Sequence, residues 1–127
     1  MTSPDRKTHV LIVDDGAVTR QRLCGLLAEL PEVEVDACRA QAAELGQALD
    51  RCRPALVIID VPVSHAGFQL VTLVRERLPA TRIVVLSNHP VEEFQRQSLA
   101  SGADRFLVKA TQFERVLELA RAVGAER

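Results

Sequence analysis

At 127 residues the chain is long enough to bury a core without disulfide or metal staples and fits a single domain. Its 16 basic and 17 acidic residues are interspersed and leave a formal net charge of -1, which gives no electrostatic footprint for nucleic acid or an anionic membrane. With no Trp or Tyr and only four Phe, the core must be aliphatic, and the aromatic platforms typical of single-strand nucleic-acid binders are missing.

The N-terminal stretch Met1–Thr8 lacks the apolar core of a signal peptide, and no apolar run approaches the roughly 20 residues of a membrane span. The expectation is a cytoplasmic protein. His9–Val13 reads as a strand running into Asp14 and Asp15. Val18, Leu23, Leu26, Leu27 and Leu30 then recur at helical spacing until Pro31 stops them. Acidic and apolar residues alternate through Glu32–Ala37, as a half-exposed edge strand requires, and Ala40 to Arg51 reads as a helix ending near Pro54. Ala55–Ile59 is continuously apolar, which suits a central parallel strand covered on both faces, and it stops at Asp60.

Gly67 opens a helical stretch with Val71, Val74 and Leu78 on one stripe, closed by Pro79. Arg82–Leu86 is a fourth strand, stopping at Ser87. Pro90 sits at the start of the next helix, where its missing N–H costs least. Val91–Leu99 follows with a thin apolar stripe, and Ser101-Gly102 closes it. The last strand, Arg105–Val108, stops at Lys109. Thr111-Gln-Phe-Glu114 has the spacing of a capping box for a final helix burying Phe113, Val116, Leu117 and Ala120. Cys24, Cys38 and Cys52 form no C-x-x-C pair and have no histidine at ligand spacing, so they read as reduced, partly buried small hydrophobes.

Five strands alternating with five helices through short loops predict an α/β, doubly wound parallel sheet with right-handed crossovers and a flavodoxin-like strand order. No internal repeat or linker breaks the pattern, so the expectation over 1–127 is one domain and no output domain. In such a sheet the carboxyl ends of the strands share one edge, where ligands bind. Asp14, Asp15, Asp60, Ser87 and Lys109 would then meet there. Taken singly, a strand-end Asp reads as a cap or turn former, a Ser as a helix cap and a Lys as a solvated strand end. Their joint occurrence, in this order and each ending its own strand, carries the functional reading.

From His9 to Val123 the chain resembles the receiver domain of bacterial two-component response regulators, on Val13-Asp14-Asp15, Asp60, Gly67, Ser87 and Gly102-Ala-Asp-Arg-Phe-Leu-Val-Lys109. The stretch Phe106–Phe113 and the short C-terminus resemble stand-alone receivers. The resemblance implies a CheY-like sheet of order 2-1-3-4-5 flanked by five helices. It implies a phosphoryl group taken onto Asp60 from a sensor histidine kinase or a phosphotransfer protein. Mg²⁺ (or Mn²⁺) would be held by Asp14, Asp15, Asp60 and the backbone carbonyl of Pro62. Lys109 would hold a phosphoryl oxygen, and Ser87 with the ring of Phe106 would form the switch. Such a protein is a signalling protein, not an enzyme acting on other substrates. It would pass its signal to a downstream protein or onward by phosphotransfer, with no direct nucleic acid or membrane contact, and with homodimerisation open to it.

Three features depart from the family's pattern. After Asp60 the proline falls at the second position and the glycine at the seventh, where the family commonly has them at the fourth and eighth. One loop residue is missing, and Pro62 removes an N–H donor while keeping a carbonyl. Lys109 is followed by Ala110 instead of the proline whose cis bond many receivers carry, so a trans or strained peptide is expected there. His65 and His89 flank the site, and His89 lies where family side chains influence the attacking water. Two other readings compete: a receiver-like binding module independent of phosphorylation, and a haloacid-dehalogenase-like phosphatase, which expects an Asp-x-Asp absent from Asp14-Asp15-Gly16-Ala17.

Overall fold

Each β-branched run forms a strand and each apolar stripe a helix. The strands are β1 (Thr8–Asp14), β2 (Val33–Cys38), β3 (Leu56–Asp60), β4 (Arg82–Ser87) and β5 (Arg105–Val108). The helices are α1 (Ala17–Leu27), α2 (Ala42–Cys52), α3 (His65–Arg77), α4 (Glu92–Ala100), α5 (Lys109–Gln112) and α6 (Arg115–Ala125). This computed structural model describes residues 7–60, 65–88 and 92–125. Every strand pairing is parallel, in the order β2-β1-β3-β4-β5. The flavodoxin-like order expected from the alternation is therefore the one observed.

Strand alternation divides the core in two. Val10, Ile12, Leu56, Ile58, Val84, Leu86 and Leu107 pack with Leu23 and Leu27 of α1 and Val116, Ala120 and Val123 of α6. Leu11, Val13, Val57, Ile59, Ile83 and Val85 pack on the other face with α2 and α3 through Leu45, Leu49, Val71 and Val74. Every residue of β3 is buried, as its unbroken apolar run predicts. β2 lies at the edge with a mixed burial pattern, matching its alternating acids. The cysteines are free: Cys24 packs against the α1–α6 core and Cys38 against the α2–α3 core.

Three local expectations are corrected. The single C-terminal helix is two, α5 and α6, because the chain turns into helix directly at Lys109 and Thr111 lies inside that first turn instead of capping the second. The N-terminus of α5 is closed instead by Gln112, whose Oε1 accepts the N–H of Val108 at 2.9 Å. Val18 is 73% exposed; five positions before Leu23 is about 140° round the helix, off the buried stripe. In α4 the buried residue is Ser98. The end of α4 follows expectation: Gly102, at φ +121°, donates to Leu99 O at 3.1 Å, and Ala103 donates to Ser98 O at 3.1 Å, which together form a Schellman motif.

Candidate functional site

Register places the two buried carboxylates side by side. Asp14 ends β1 and Asp60 ends β3, and the two are paired across the strands. They are 4% and 6% exposed. Lys109 follows β5 directly and must reach past β4, a gap of two strand spacings or about 10 Å between backbones. Its four-carbon stem and the Asp60 side chain together cover that distance: Nζ lies 2.9 Å from Asp60 Oδ1 and 3.0 Å from Oδ2. One ammonium thus serves both oxygens of the carboxylate at the centre of the edge.

Asp14 is less well provided. Its Oδ1 accepts the N–H of Gly16 at 2.7 Å, a bond that turns the chain into α1. Its Oδ2 is buried with no hydrogen-bond partner among the described residues. Burial pushes the Asp14 carboxyl above the ordinary value, and the neighbouring Asp60 adds to the rise, against the pull of the Gly16 N–H, Lys109 and Arg20. Native proteins rarely leave a buried oxygen unmade, and here it belongs to one of two adjacent carboxylates. Such a donor set fits a hard cation, which prefers oxygen ligands.

Asp15 stands apart from this pair. It is exposed, and its Oδ1 accepts the N–H of Ala40 in the β2–α2 turn at 2.9 Å. Among the described residues no group of three or more acidic, His or Cys side chains is gathered as a metal-holding cluster. Of the residues expected at this edge, the structure draws together Asp14, Asp60 and Lys109. Ser87 is buried at the end of β4, in register with Val108.

Residues 10–121 match the response regulator receiver domain. The chain belongs to that family. Among curated relatives, protein-glutamate methylesterase/protein-glutamine glutaminase 3 of Geobacter sulfurreducens is 32% identical over 84% of this receiver and 29% of its own length. Oxygen regulatory protein NreC of Staphylococcus epidermidis is 29% identical over 90% of the receiver and 53% of its own length. The receiver therefore spans about half or less of these relatives. Among solved structures, Vibrio cholerae chemotaxis protein CheY4 is 30% identical with a TM-score of 0.77, covering 92% of this receiver and 98% of that chain. A response regulator from Thermotoga maritima shares the fold at 22% identity and a TM-score of 0.80, covering 94% and 98%. The protein is thus a receiver domain of two-component signalling systems.

In this receiver Phe106 is half-buried and packs on the α2–α3 core beside Val85, its partner in register. Ser87, two positions beyond Val85, lies on that same face by strand alternation. The Lys109–Ala110 peptide is trans, and Ala110 continues α5 without deflecting Lys109 from Asp60. Pro62, His89, the side chain of His65 and the shortened loop after Asp60 lie outside the described residues. The residue that sequence reasoning missed is Ala40. It takes part through its backbone N–H, which every non-proline residue has, so no side-chain pattern could mark it.

Proposed function

We propose that this receiver accepts a phosphoryl group on Asp60 from the phosphohistidine of a sensor histidine kinase or phosphotransfer protein. The observation that carries this reading is the buried Asp14–Asp60 pair, with one oxygen unpartnered and a single ammonium beside it. A carboxylate oxygen of Asp60 attacks phosphorus, the P–N bond breaks, and the donor imidazole leaves with the electron pair. Lys109 already neutralises Asp60. As one carboxylate oxygen becomes the bridging oxygen of an acyl phosphate, the ammonium transfers to a phosphoryl oxygen as a point charge. Ser87 donates its hydroxyl to another phosphoryl oxygen. Because Ser87 and Phe106 share a face of the sheet, that contact biases the ring and the surface around it by population shift.

Asp14 and Asp60, with Asp15 and the carbonyl of Pro62, would hold Mg²⁺ or Mn²⁺, which offsets the repulsion between carboxylate and phosphoryl group. Asp14 Oδ2 is the oxygen with most to gain. A cleft of about 780 Å³ between α1 and the α5–α6 turn borders Lys109 and includes Arg22, whose guanidinium lies 4.4 Å from the centre of the Phe113 ring. We assign this cleft to the phosphodonor's approach. No helix among the described residues is long and apolar enough to cross a membrane, and the proposed setting is the cytoplasm. The downstream partner is a protein, reached by contact or onward phosphotransfer, and a homodimer is compatible with this role.

The test is intact mass after incubation with Mg²⁺ and acetyl phosphate, comparing wild type with Asp60→Asn. The expected result is a single phosphoryl adduct that needs Mg²⁺ and is lost in the variant. No adduct, with a kinase donor failing as well, would replace this reading with a binding module independent of phosphate. That second reading draws on Lys109, whose ammonium already serves both Asp60 oxygens.

A further inference from the structure

A cavity at the amino end of the sheet, opposite Asp60, has no part in the proposed phosphotransfer. Arg82 opens β4 and Arg105 opens β5. Strand alternation puts both on the face that carries Val84 and Leu107, which α6 covers. Val84 is paired with Arg105 in register, so the two arginines flank one buried valine. Over them α6 presents Leu119, Ala122 and Val123, which at spacings of three and four share one side of the helix. Ala122 carries only a methyl group, and a cavity of about 360 Å³ is left beneath it. Its lining is aliphatic apart from Arg82, Asp104 and Arg105. A small-molecule site has that character, apolar with a few polar groups, and this volume lies at the low end of such sites.

The charges at the cavity do not cancel. Asp104 Oδ2 accepts bonds from Arg75 Nη2 and the Ile83 N–H, both at 2.8 Å, and Oδ1 lies 3.8 Å from Arg82 Nη1. One carboxylate is thus shared between two guanidiniums. Arg105 is exposed and makes no ion pair among the described residues. We propose that this cavity is a second ligand site, taking a small carboxylate with a short aliphatic body. The Arg105 guanidinium receives the carboxylate, whose two oxygens match its fork of donors. The body lies on Leu56 and Val84 and under Ala122 and Val123, where it leaves water. A single surplus guanidinium matches a single negative charge, and the aliphatic lining offers no ring on which a planar body would stack.

An NMR titration of the full chain with octanoate tests this, with octylammonium as a ligand of the same chain length and opposite charge. Octanoate should shift the amides of Val84, Arg105 and Val123 with a dissociation constant of about 1 mM, the strength expected of so small a ligand. Octylammonium should leave them in place. Arg105→Gln should weaken octanoate about fivefold, the upper end for an exposed ion pair. Ala122→Leu fills the cavity from an exposed helix position with a good helix former, and should abolish binding. If octanoate shifts none of these amides, or binds Ala122→Leu equally well, the cavity is not a ligand site. If octylammonium binds as octanoate does, or Arg105→Gln changes nothing, the cavity takes apolar chains without reading charge and the carboxylate assignment falls. If the same amides shift with protein concentration alone, a second copy of the chain covers the cavity and replaces the ligand.

Discussion

At the amino edge of the sheet Arg75, near the end of α3, spends every donor of its guanidinium. Nη1 bonds Pro79 O at 2.7 Å and Thr81 O at 2.8 Å, Nε and Nη2 bond Gly102 O at 3.1 and 2.8 Å, and Nη2 also meets Asp104 Oδ2 at 2.8 Å. Asp104 Oδ2 in turn accepts the N–H of Ile83 at 2.8 Å. At the carboxyl edge the ratio is reversed: among the described residues Lys109 alone serves the Asp60 carboxylate, and Asp14 Oδ2 has no partner. Both edges hold carboxylates and a cation at least partly out of water. The amino edge satisfies them and is thereby a clasp, while the carboxyl edge holds charge that an external ligand can satisfy.

Breaking the clasp has the largest expected effect on stability. Arg75→Ala takes a donor from each of four acceptors and should cost about 2–3 kcal/mol, less than a fully buried pair because both partners retain some exposure. A fall in urea midpoint at unchanged slope is the measurement. Arg75→Lys should recover little, since a point charge cannot make the fork's bonds. Gly102→Ala should act in the same direction: its φ of +121° disfavours a side chain, and an added Cβ would stand 3.0 Å from Cβ and Cγ of Arg75.

At the carboxyl edge the sign reverses. Asp14→Asn removes a desolvated charge, and in cation-free buffer at neutral pH it should raise stability by about 1 kcal/mol. The folded state lifts the Asp14 carboxyl above its ordinary value, so the wild type's handicap is absent below the unfolded value and grows as pH rises through the folded one. The advantage of Asn should accordingly vanish on acidification through that window. Added Mg²⁺ should invert the order, because only the wild type gains a ligand. Denaturation curves with Mg²⁺ or with EDTA decide it; a variant equally stabilised by Mg²⁺ would remove Asp14 from the site.

The difference between the edges also explains what could be read from sequence. Asp14, Asp60 and Lys109 were legible because a run such as Leu56–Ile59 has to be a buried parallel strand, and parallel strands bring their ends to one edge. Asp15 was legible as an acid but not in its aim, which a backbone N–H on another strand's turn decides. Thr111-x-x-Glu114 has a real capping pattern, yet it was overridden because the helix starts at Lys109, which is held by Asp60. The clasp was invisible: Arg75 bonds mostly backbone carbonyls, which carry no residue signature.

The smallest predicted effect concerns α4, which joins the comparison through its C-terminal end. There the Schellman motif hands the chain to Gly102, and Gly102 is gripped by Arg75. Along its length the helix buries Ser98, 1% exposed, whose hydroxyl makes no hydrogen bond among the described residues. A buried hydroxyl without a partner gives up its hydration for nothing in return. Ala has the better helix propensity and no polar atom to desolvate. Ser98→Ala should therefore stabilise the protein by about 0.5–1 kcal/mol. If α4 is held mainly at its clasped end, the gain should show as slower amide exchange across Phe94–Leu99 with α3 unchanged. A gain spread evenly over α3 and α4 would mean instead that α4 opens only with the whole domain, and that the clasp does not divide it from the rest.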